Sequence, residues 1–141
     1  MKSQPSEISV VLPLYNEAES IPELFESLLA VLDGFKHTFE IIAVDDGSRD
    51  KSMERLREIT EKRVEVQVIQ FRQNPGQTAA IQAGIDHCRG SIIITSDSDL
   101  QNDPQDIPRL IAKLDEGYDL VSGWRRNRLD GRVRRMSAYG Y

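Results

Sequence analysis

The chain has 141 residues, 39% hydrophobic and 29% charged, with 9 Gly and 6 Pro, which suits one globular domain and excludes a two-domain enzyme, a disordered chain, a collagen and a coiled coil. Its single cysteine, Cys88, makes neither an internal disulfide nor a zinc cluster, so a disulfide-stapled secreted scaffold is excluded and a cytoplasmic setting is expected. The net charge of −5 is uneven: residues 125–141 hold six Arg against Asp130 alone while the rest is acidic, so a general nucleic-acid binder is disfavoured, and the tail suits either phosphate on a lipid or nucleotide or a solvated, frayed end.

The N-terminus carries one Lys, and its apolar run is broken by Pro13 and Asn16, so neither a signal peptide nor a membrane span is expected. Ile8 to Leu14 is short, apolar and rich in β-branched residues, the pattern of a strand buried on both faces. Ser20-Ile21-Pro22-Glu23 reads as a capping box, followed by apolar residues at 21, 24, 25, 28, 29 and 32, which predicts an amphipathic helix. Phe39 to Val44 repeats the buried-strand pattern, and Met53, Leu56 and Ile59 form a helical stripe behind it. Val64 to Phe71 alternates in its first half as an edge strand does.

Asn74-Pro75-Gly76 is a turn opening a helix of small residues, Ala79, Ala80, Ala83 and Gly84, whose thin face permits close packing on a sheet. Ile92 to Thr95 is a fourth strand. Asp103-Pro104 starts a helix with Ile107, Leu110, Ile111 and Leu114 inward, Asp103 as its N-cap and Gly117 as its stop. Asp119 to Val121 is a fifth strand.

This alternation predicts an α/β fold, a mostly parallel sheet with helices on both faces. Ligands of such sheets bind beyond the carboxyl ends of the strands. Three polar clusters fall there: Tyr15-Asn16-Glu17, Asp45-Asp46-Gly47-Ser48 and Asp97-Ser98-Asp99. A dinucleotide fold needs a Gly-rich turn after the first strand and an NTPase needs a P-loop, and neither pattern occurs. A phosphoacceptor receiver is a closer competitor, but its acidic pair belongs after the first strand, not the second. Asp97 and Asp99 are hard oxygen donors suited to Mg²⁺ or Mn²⁺ beside a diphosphate, although an isolated Asp-x-Asp more often caps a turn.

Pro13-Leu14-Tyr15-Asn16-Glu17, Val44-Asp45-Asp46-Gly47-Ser48-Arg49-Asp50 and Asp97-Ser98-Asp99-Leu100-Gln101-Asn102-Asp103-Pro104 together resemble the ordered signature of the family 2 glycosyltransferases with the Rossmann-like GT-A fold. The stretch from Leu100 to Pro108 and Ser122-Gly123-Trp124-Arg125 resemble the branch of dolichol-phosphate mannosyltransferases and polyprenyl-phosphate glycosyltransferases. The resemblance covers nearly the whole chain and implies inverting transfer of a sugar from a UDP- or GDP-linked donor to a dolichyl or undecaprenyl phosphate. A polysaccharide acceptor and a catalytically incomplete nucleotide-binding fragment are the alternatives.

By that resemblance Pro13, Tyr15, Asn16, Glu17, Asp45, Asp46 and Ser48 hold the nucleoside, Gly76 and Gln77 pass near the diphosphate, and Asp97, Asp99 and Gln101 hold the metal and diphosphate. Asp99 is assigned to the catalytic step with Arg125, Arg134 and Arg135, which would position the acceptor phosphate. Asp50 is read as a helix cap; His37, His87 and Cys88 match no functional position. Position 98 is Ser where the family usually has Ala or Gly. Residues 1–124 are assigned as the nucleotide-sugar half and 125–141 as an Arg-rich tail that starts the acceptor region, the GT-A domain being incomplete at its C-terminus. Residues after about 125 are expected to be mobile or held by a neighbouring chain, with the outer edge of the fifth strand open to pairing, which leaves a homodimer open. Peripheral contact with the cytoplasmic face of a membrane is expected of the intact enzyme.

Overall fold

The computed structural model describes residues 7–96, 104–117, 120–124 and 135–140, the last two segments as backbone. The elements in chain order are β1 (Ile8–Leu14), α1 (Ile21–Asp33), β2 (Phe39–Asp45), α2 (Ser52–Lys62), β3 (Val66–Gln70), α3 (Gln77–Asp86), β4 (Ile92–Thr95), a 3-10 turn (Pro104–Asp106), α4 (Ile107–Asp115), β5 (Leu120–Trp124) and β6 (Arg135–Gly140). They build one sheet in the order β3-β2-β1-β4-β6-β5. The first four strands are parallel, and β6 runs antiparallel to both β4 and β5.

All seven residues of β1 are buried, because the strand has a parallel neighbour on each side and a helix layer over each face. Successive side chains point to opposite faces. Val10, Leu12 and Leu14, with Ile41 and Ala43, join the apolar stripes of α1, α2 and α4 in the larger core: Phe25, Leu28 and Leu32 from α1, Leu56 from α2, Ile107 and Leu110 from α4. On the other face Ile42 and Val44 meet Ala80 of α3. A Cβ at Gly84 would lie 2.3 Å from Val11 Cγ1, so α3 rests its backbone on the sheet, as its small residues predict.

Helices on both faces and the edge position of β3 match the sequence expectation. Three local readings are corrected. Ser20 is the N-cap of α1 but makes no side-chain capping bond; instead the Glu17 carbonyl accepts from the Ser20 and Ile21 amides. The helix expected from Asp103-Pro104 begins only at Ile107, after the 3-10 turn, with Asp106 as its N-cap, while Asp103 lies outside the described residues. The tail expected to stay free of the fold instead supplies β6, between β4 and β5. A count of aliphatic anchors misses this because an inserted strand gains main-chain hydrogen bonds on both sides. The fifth strand is longer than the three residues read from sequence, and it forms the sheet edge as expected.

Candidate functional site

The carboxyl ends of β1, β2 and β3 are level, since Leu14 pairs with Asp45 and Asp45 with Gln70. The amide of Asp46 donates to the Leu14 carbonyl at 2.8 Å, and that of Phe71 to the Asp45 carbonyl at 2.9 Å. The β1–β4 pairs stop at Val11 and Thr95. Pro13, which is buried, falls beyond the last pair, so its missing N–H breaks no ladder there. The strand order reverses between these two strands, and such a reversal is where open α/β sheets hold ligands.

Beyond the strand ends the first two loops are braced together by side chains. Asn16 adopts a left-handed conformation, φ 51°. Its Oδ1 accepts from the Arg49 amide at 2.8 Å and from the Asp50 amide at 3.4 Å. In return its own amide donates to Ser48 Oγ at 2.8 Å. The Glu17 amide donates to Ser52 Oγ at 2.8 Å. The Asp50 carboxylate accepts from the Ala18 amide at 3.2 Å and the Ser52 amide at 2.9 Å. Burial raises the Asp50 pKa, but the bonds from Ser52 and the Ala18 amide outweigh it and hold the carboxyl below its ordinary range.

This brace divides the predicted nucleoside set in two. Asn16 and Ser48 are engaged in holding the loops. Tyr15 is 40% exposed at the end of β1, and Glu17 is half-buried, with its amide in the brace. Asp46 is 5% exposed, and its Oδ1 receives one long contact, 3.4 Å, from the Gly76 amide at the start of α3. Gly76 and the exposed Gln77 therefore stand beside Asp46. Gly47 has φ +78°, and a Cβ there would lie 2.7 Å from the Gln73 carbonyl carbon and oxygen. Only glycine fits between the loops at that point.

Asp45 is the outlying member of the set. It is fully buried, and among the described residues neither carboxylate oxygen has a hydrogen-bond partner. A buried polar group without a hydrogen bond costs ~1–3 kcal/mol, so the position suits a partner beyond the described residues.

Asp97, Asp99, Gln101, Arg125 and Arg134 lie outside the described residues. Arg135 opens β6 opposite Trp124. Ser96, the last described residue before Asp97, is buried, and its amide donates to the Val11 carbonyl at 3.1 Å. Among the described residues no three His, Cys, Asp or Glu gather into a group able to hold a metal ion. The sequence reading treated Asp50 as a simple cap and passed over Ser52. The alternation Ser48-x-Asp50-x-Ser52 was the available signal, since short polar side chains at such spacing bond to nearby main-chain amides.

The sequence profile of the family described as Glycosyl transferase family 2 matches residues 9–141. The chain belongs to that family. It is 47% identical over 137 residues to an undecaprenyl-phosphate 4-deoxy-4-formamido-L-arabinose transferase of Pseudomonas fluorescens, covering 96% of this chain and 40% of the relative. It is 43% identical over 130 residues to a dodecaprenyl-phosphate galacturonate synthase of Rhizobium johnstonii, covering 91% and 38%. The chain thus spans about two fifths of the length of these curated relatives.

Among solved structures the fold superposes with TM-score 0.77 on a Pyrobaculum calidifontis mannosyltransferase in complex with GDP-Man and Mn²⁺, at 17% identity, over 98% of this chain and 45% of that one. A Mycobacterium tuberculosis glucosyl-3-phosphoglycerate synthase in complex with Mn²⁺, UDP and glucosyl-3-phosphoglycerate matches with TM-score 0.66 at 27% identity, over 82% and 42%. The fold of this family 2 member is therefore GT-A. No described helix is long and apolar enough to cross a membrane.

Proposed function

We propose that the chain is the donor-binding part of an inverting glycosyltransferase that moves a sugar from a nucleoside-diphosphate-sugar to a polyprenyl phosphate. The observation that carries the donor half is the acidic pair that ends β2: Asp45, buried with neither oxygen hydrogen-bonded among the described residues, and Asp46, which meets the start of α3. The relatives' names support the acceptor class: they differ in the sugar, formamido-arabinose against galacturonate, and share a polyprenyl phosphate. Residues 1–124 form the donor half and 125–141 begin the acceptor region, the two being joined in one sheet through β6.

Tyr15, exposed at the mouth, stacks on or flanks the base, and Pro13 and Glu17 line the base and ribose. Asp45 and Asp46 accept hydrogen bonds from base N–H or ribose hydroxyl groups, and Gly76 and Gln77 present main chain and amide toward the diphosphate. Asn16, Ser48, Asp50 and Ser52 hold these loops in place. Asp97, Asp99 and Gln101 offer only oxygen atoms, a donor set that fits Mg²⁺ or Mn²⁺ and a bound diphosphate. When bound, such a cation neutralises the negative charge that develops on the departing nucleoside diphosphate. Arg125, Arg134 and Arg135 hold the acceptor phosphate, whose anionic oxygen attacks the anomeric carbon as the bond to the diphosphate oxygen breaks. That oxygen is already an anion, so the step needs no general base. The same reading sets the protein at the cytoplasmic face of a membrane, where its acceptor resides.

A second reading, a nucleotide-binding segment without turnover of its own, is favoured by the share of the relatives' length that the chain spans. Calorimetry with UDP and GDP, with Mn²⁺ and with EDTA, tests the donor half, and equal affinities in both conditions overturn the metal-dependent site. A turnover assay with undecaprenyl phosphate, run beside a version extended past Tyr141, separates the two readings. Turnover by the extended version alone is expected.

A further inference from the structure

The loop after β1 presents three consecutive main-chain amides to the loop after β2. Asn16 holds a left-handed φ of 51°, and successive amides beside such a residue converge into a concavity that suits an anion. In a dinucleotide fold the turn after the first strand gives its amides to a ligand phosphate. Here the chain fills them itself. The Asn16 amide donates to Ser48 Oγ at 2.8 Å, the Glu17 amide to Ser52 Oγ at 2.8 Å, and the Ala18 amide to Asp50 Oδ2 at 3.2 Å. The three acceptors alternate along residues 48–52, so one extended stretch meets three amides in turn.

Asp50 is the one charged acceptor, and its two oxygens serve two elements. Oδ2 takes the Ala18 amide ahead of α1, and Oδ1 takes the Ser52 amide at the start of α2, at 2.9 Å. The Ser52 hydroxyl accepts from Glu17 and bonds the same carboxylate. A carboxylate accepts at both oxygens, whereas an amide side chain has one acceptor and turns donors to the other place. The N-terminus of α2 also favours a negative charge at this point. Ser52 is fully buried while Asp50 is exposed, at the edge of a groove lined also by Ala18, Glu19, Pro22, Lys51 and Arg55. A small anion in solution therefore has a way to the Asp50 position.

These bonds act where the sheet no longer does. The β1–β2 ladder closes with the Asp46 amide on the Leu14 carbonyl, and past that point side chains take over the joining of the two loops. Tyr15 and Glu17 flank Asn16, and Asp46 lies two residues before Ser48. The seating of residues 16–18 on residues 48–52 thus sets how the two halves of the nucleoside group face each other.

We infer that Asp50 is a positioning residue for the nucleoside pocket, a built-in anion seated on the amides of the first loop that fixes Tyr15 and Glu17 against Asp46. It takes the place that a ligand phosphate holds in a dinucleotide fold. The consequence for nucleotide affinity rests on the donor-site reading; the seating of the anion does not.

The test uses the full chain with Asp50→Ala, which vacates the seat, and Asp50→Asn, which fills it but offers one acceptor oxygen. Each is studied beside the parent in sodium formate and in sodium chloride at the same ionic strength, formate being a carboxylate small enough to replace the missing one. Hydrogen exchange at the Asn16, Glu17 and Ala18 amides follows the seat without any nucleotide. Calorimetry with UDP and Mn²⁺, on chains shown to be folded, follows the pocket.

In chloride, Asp50→Ala is expected to exchange all three amides faster and to bind UDP about tenfold more weakly than the parent. Formate is expected to slow that exchange and recover most of the affinity, while leaving the parent unmoved. Asp50→Asn is expected to be weakened too, and to gain nothing from formate because its seat is full. A role confined to stability would leave UDP affinity of the folded variants within about twofold of the parent, and that result overturns the proposal. Failure of formate to act on Asp50→Ala overturns it as well, as does an equal action on the parent or on Asp50→Asn, which would place the anion elsewhere. If the parent binds no UDP, the donor-site reading fails while the exchange measurement still decides the seat. If Asp50→Ala does not fold, Asp50→Asn carries the test, and parent-like exchange and affinity in that variant overturn the proposal.

Discussion

Strand β2 carries an acidic residue near each end, and the two live under opposite conditions. Glu40, at the amino end, is 4% exposed, and one of its oxygens receives two short hydrogen bonds. Asp45, five residues on and on the opposite face, is fully buried with both oxygens unpaired. The amino end of the sheet therefore satisfies its buried carboxylate internally, whereas the carboxyl end keeps a buried carboxyl group that no described residue hydrogen-bonds. A buried carboxylate serves structure in the first case and, on the proposed reading, recognition in the second, so burial alone does not tell the two roles apart.

The largest effect expected of this contrast is at Glu40. Glu40→Ala leaves Ser9 Oγ and the Arg89 amide without their acceptor in a buried place. Orphaned donors of this kind cost ~1–3 kcal/mol each, so urea unfolding should show a loss of ~3 kcal/mol. Glu40→Gln should lose well under half of that. Equal losses in the two variants would show that packing, and not the acceptor oxygen, is what Glu40 contributes.

Next in size is the brace at the other end. Asn16→Ala removes the acceptor of the Arg49 and Asp50 amides and forces a residue with a Cβ and no compensating side-chain bond into φ 51°. A loss of ~2 kcal/mol is expected. Asn16→Gly relaxes the backbone but not the missing bond, and should lose about half as much. If the glycine variant were the less stable of the two, the left-handed backbone would not be the source of the cost.

Asp45→Asn should move stability the other way. Removing an unpaired buried charge while keeping its shape should raise the unfolding free energy by ~1 kcal/mol. Nucleoside diphosphate affinity should fall about tenfold in the same variant, equivalent to ~1.4 kcal/mol. The opposite signs are the point of the comparison with Glu40. A variant that is less stable than the parent would mean that Asp45 has a structural partner after all.

The α/β class, the edge position of β3 and the thin face of α3 were legible because each follows from periodicity or side-chain size over several residues. The clusters at Tyr15-Asn16-Glu17 and Asp45-Asp46-Gly47-Ser48 were legible as strand-end groups, since strand ends are where polar residues interrupt apolar runs. Its internal division was not: Asn16 and Ser48 look like ligand residues by type, and only the geometry shows them holding Arg49, Asp50 and one another. Strand β6 was missed because its place depends on main-chain pairing with β4 and β5, which leaves no periodic mark in six residues. The Ser9–Glu40 couple was hidden for a different reason. In a run such as Ile8-Ser9-Val10 or Phe39-Glu40-Ile41 a polar residue reads as the solvent face of a strand, and here both faces are covered.

The smallest expected effect compares two aspartates held below the ordinary carboxylate range by different means. Asp33 is lowered chiefly by its hydrogen bonds from Arg63, 2.6 Å to Oδ1 and 3.1 Å to Oδ2, with the guanidinium charge adding to them. Asp50 is lowered by the hydroxyl and amide of Ser52 and the amide of Ala18 against an opposing effect of burial. A carboxyl whose pKa is depressed on folding contributes stability above its unfolded value, ~3.9, and that contribution is lost as the pH falls through the lower, folded value. Both aspartates should therefore act in the same acid window, below about pH 4. Their salt dependence should differ. The Asp33 carboxylate is half exposed, so solvent screening limits the pair to ~0.5 kcal/mol or less, and 1 M NaCl, with a Debye length of ~3 Å, should remove most of that. The partners of Asp50 are uncharged, so salt leaves those bonds in place. Urea unfolding from pH 6 down to pH 3, at low salt and in 1 M NaCl, should show the difference between the parent and Asp33→Asn vanishing in salt while that for Asp50→Asn persists. Loss of both differences in salt would mean that the brace around Asp50 is held by the field of the neighbouring Arg49, Lys51 and Arg55 rather than by its neutral donors.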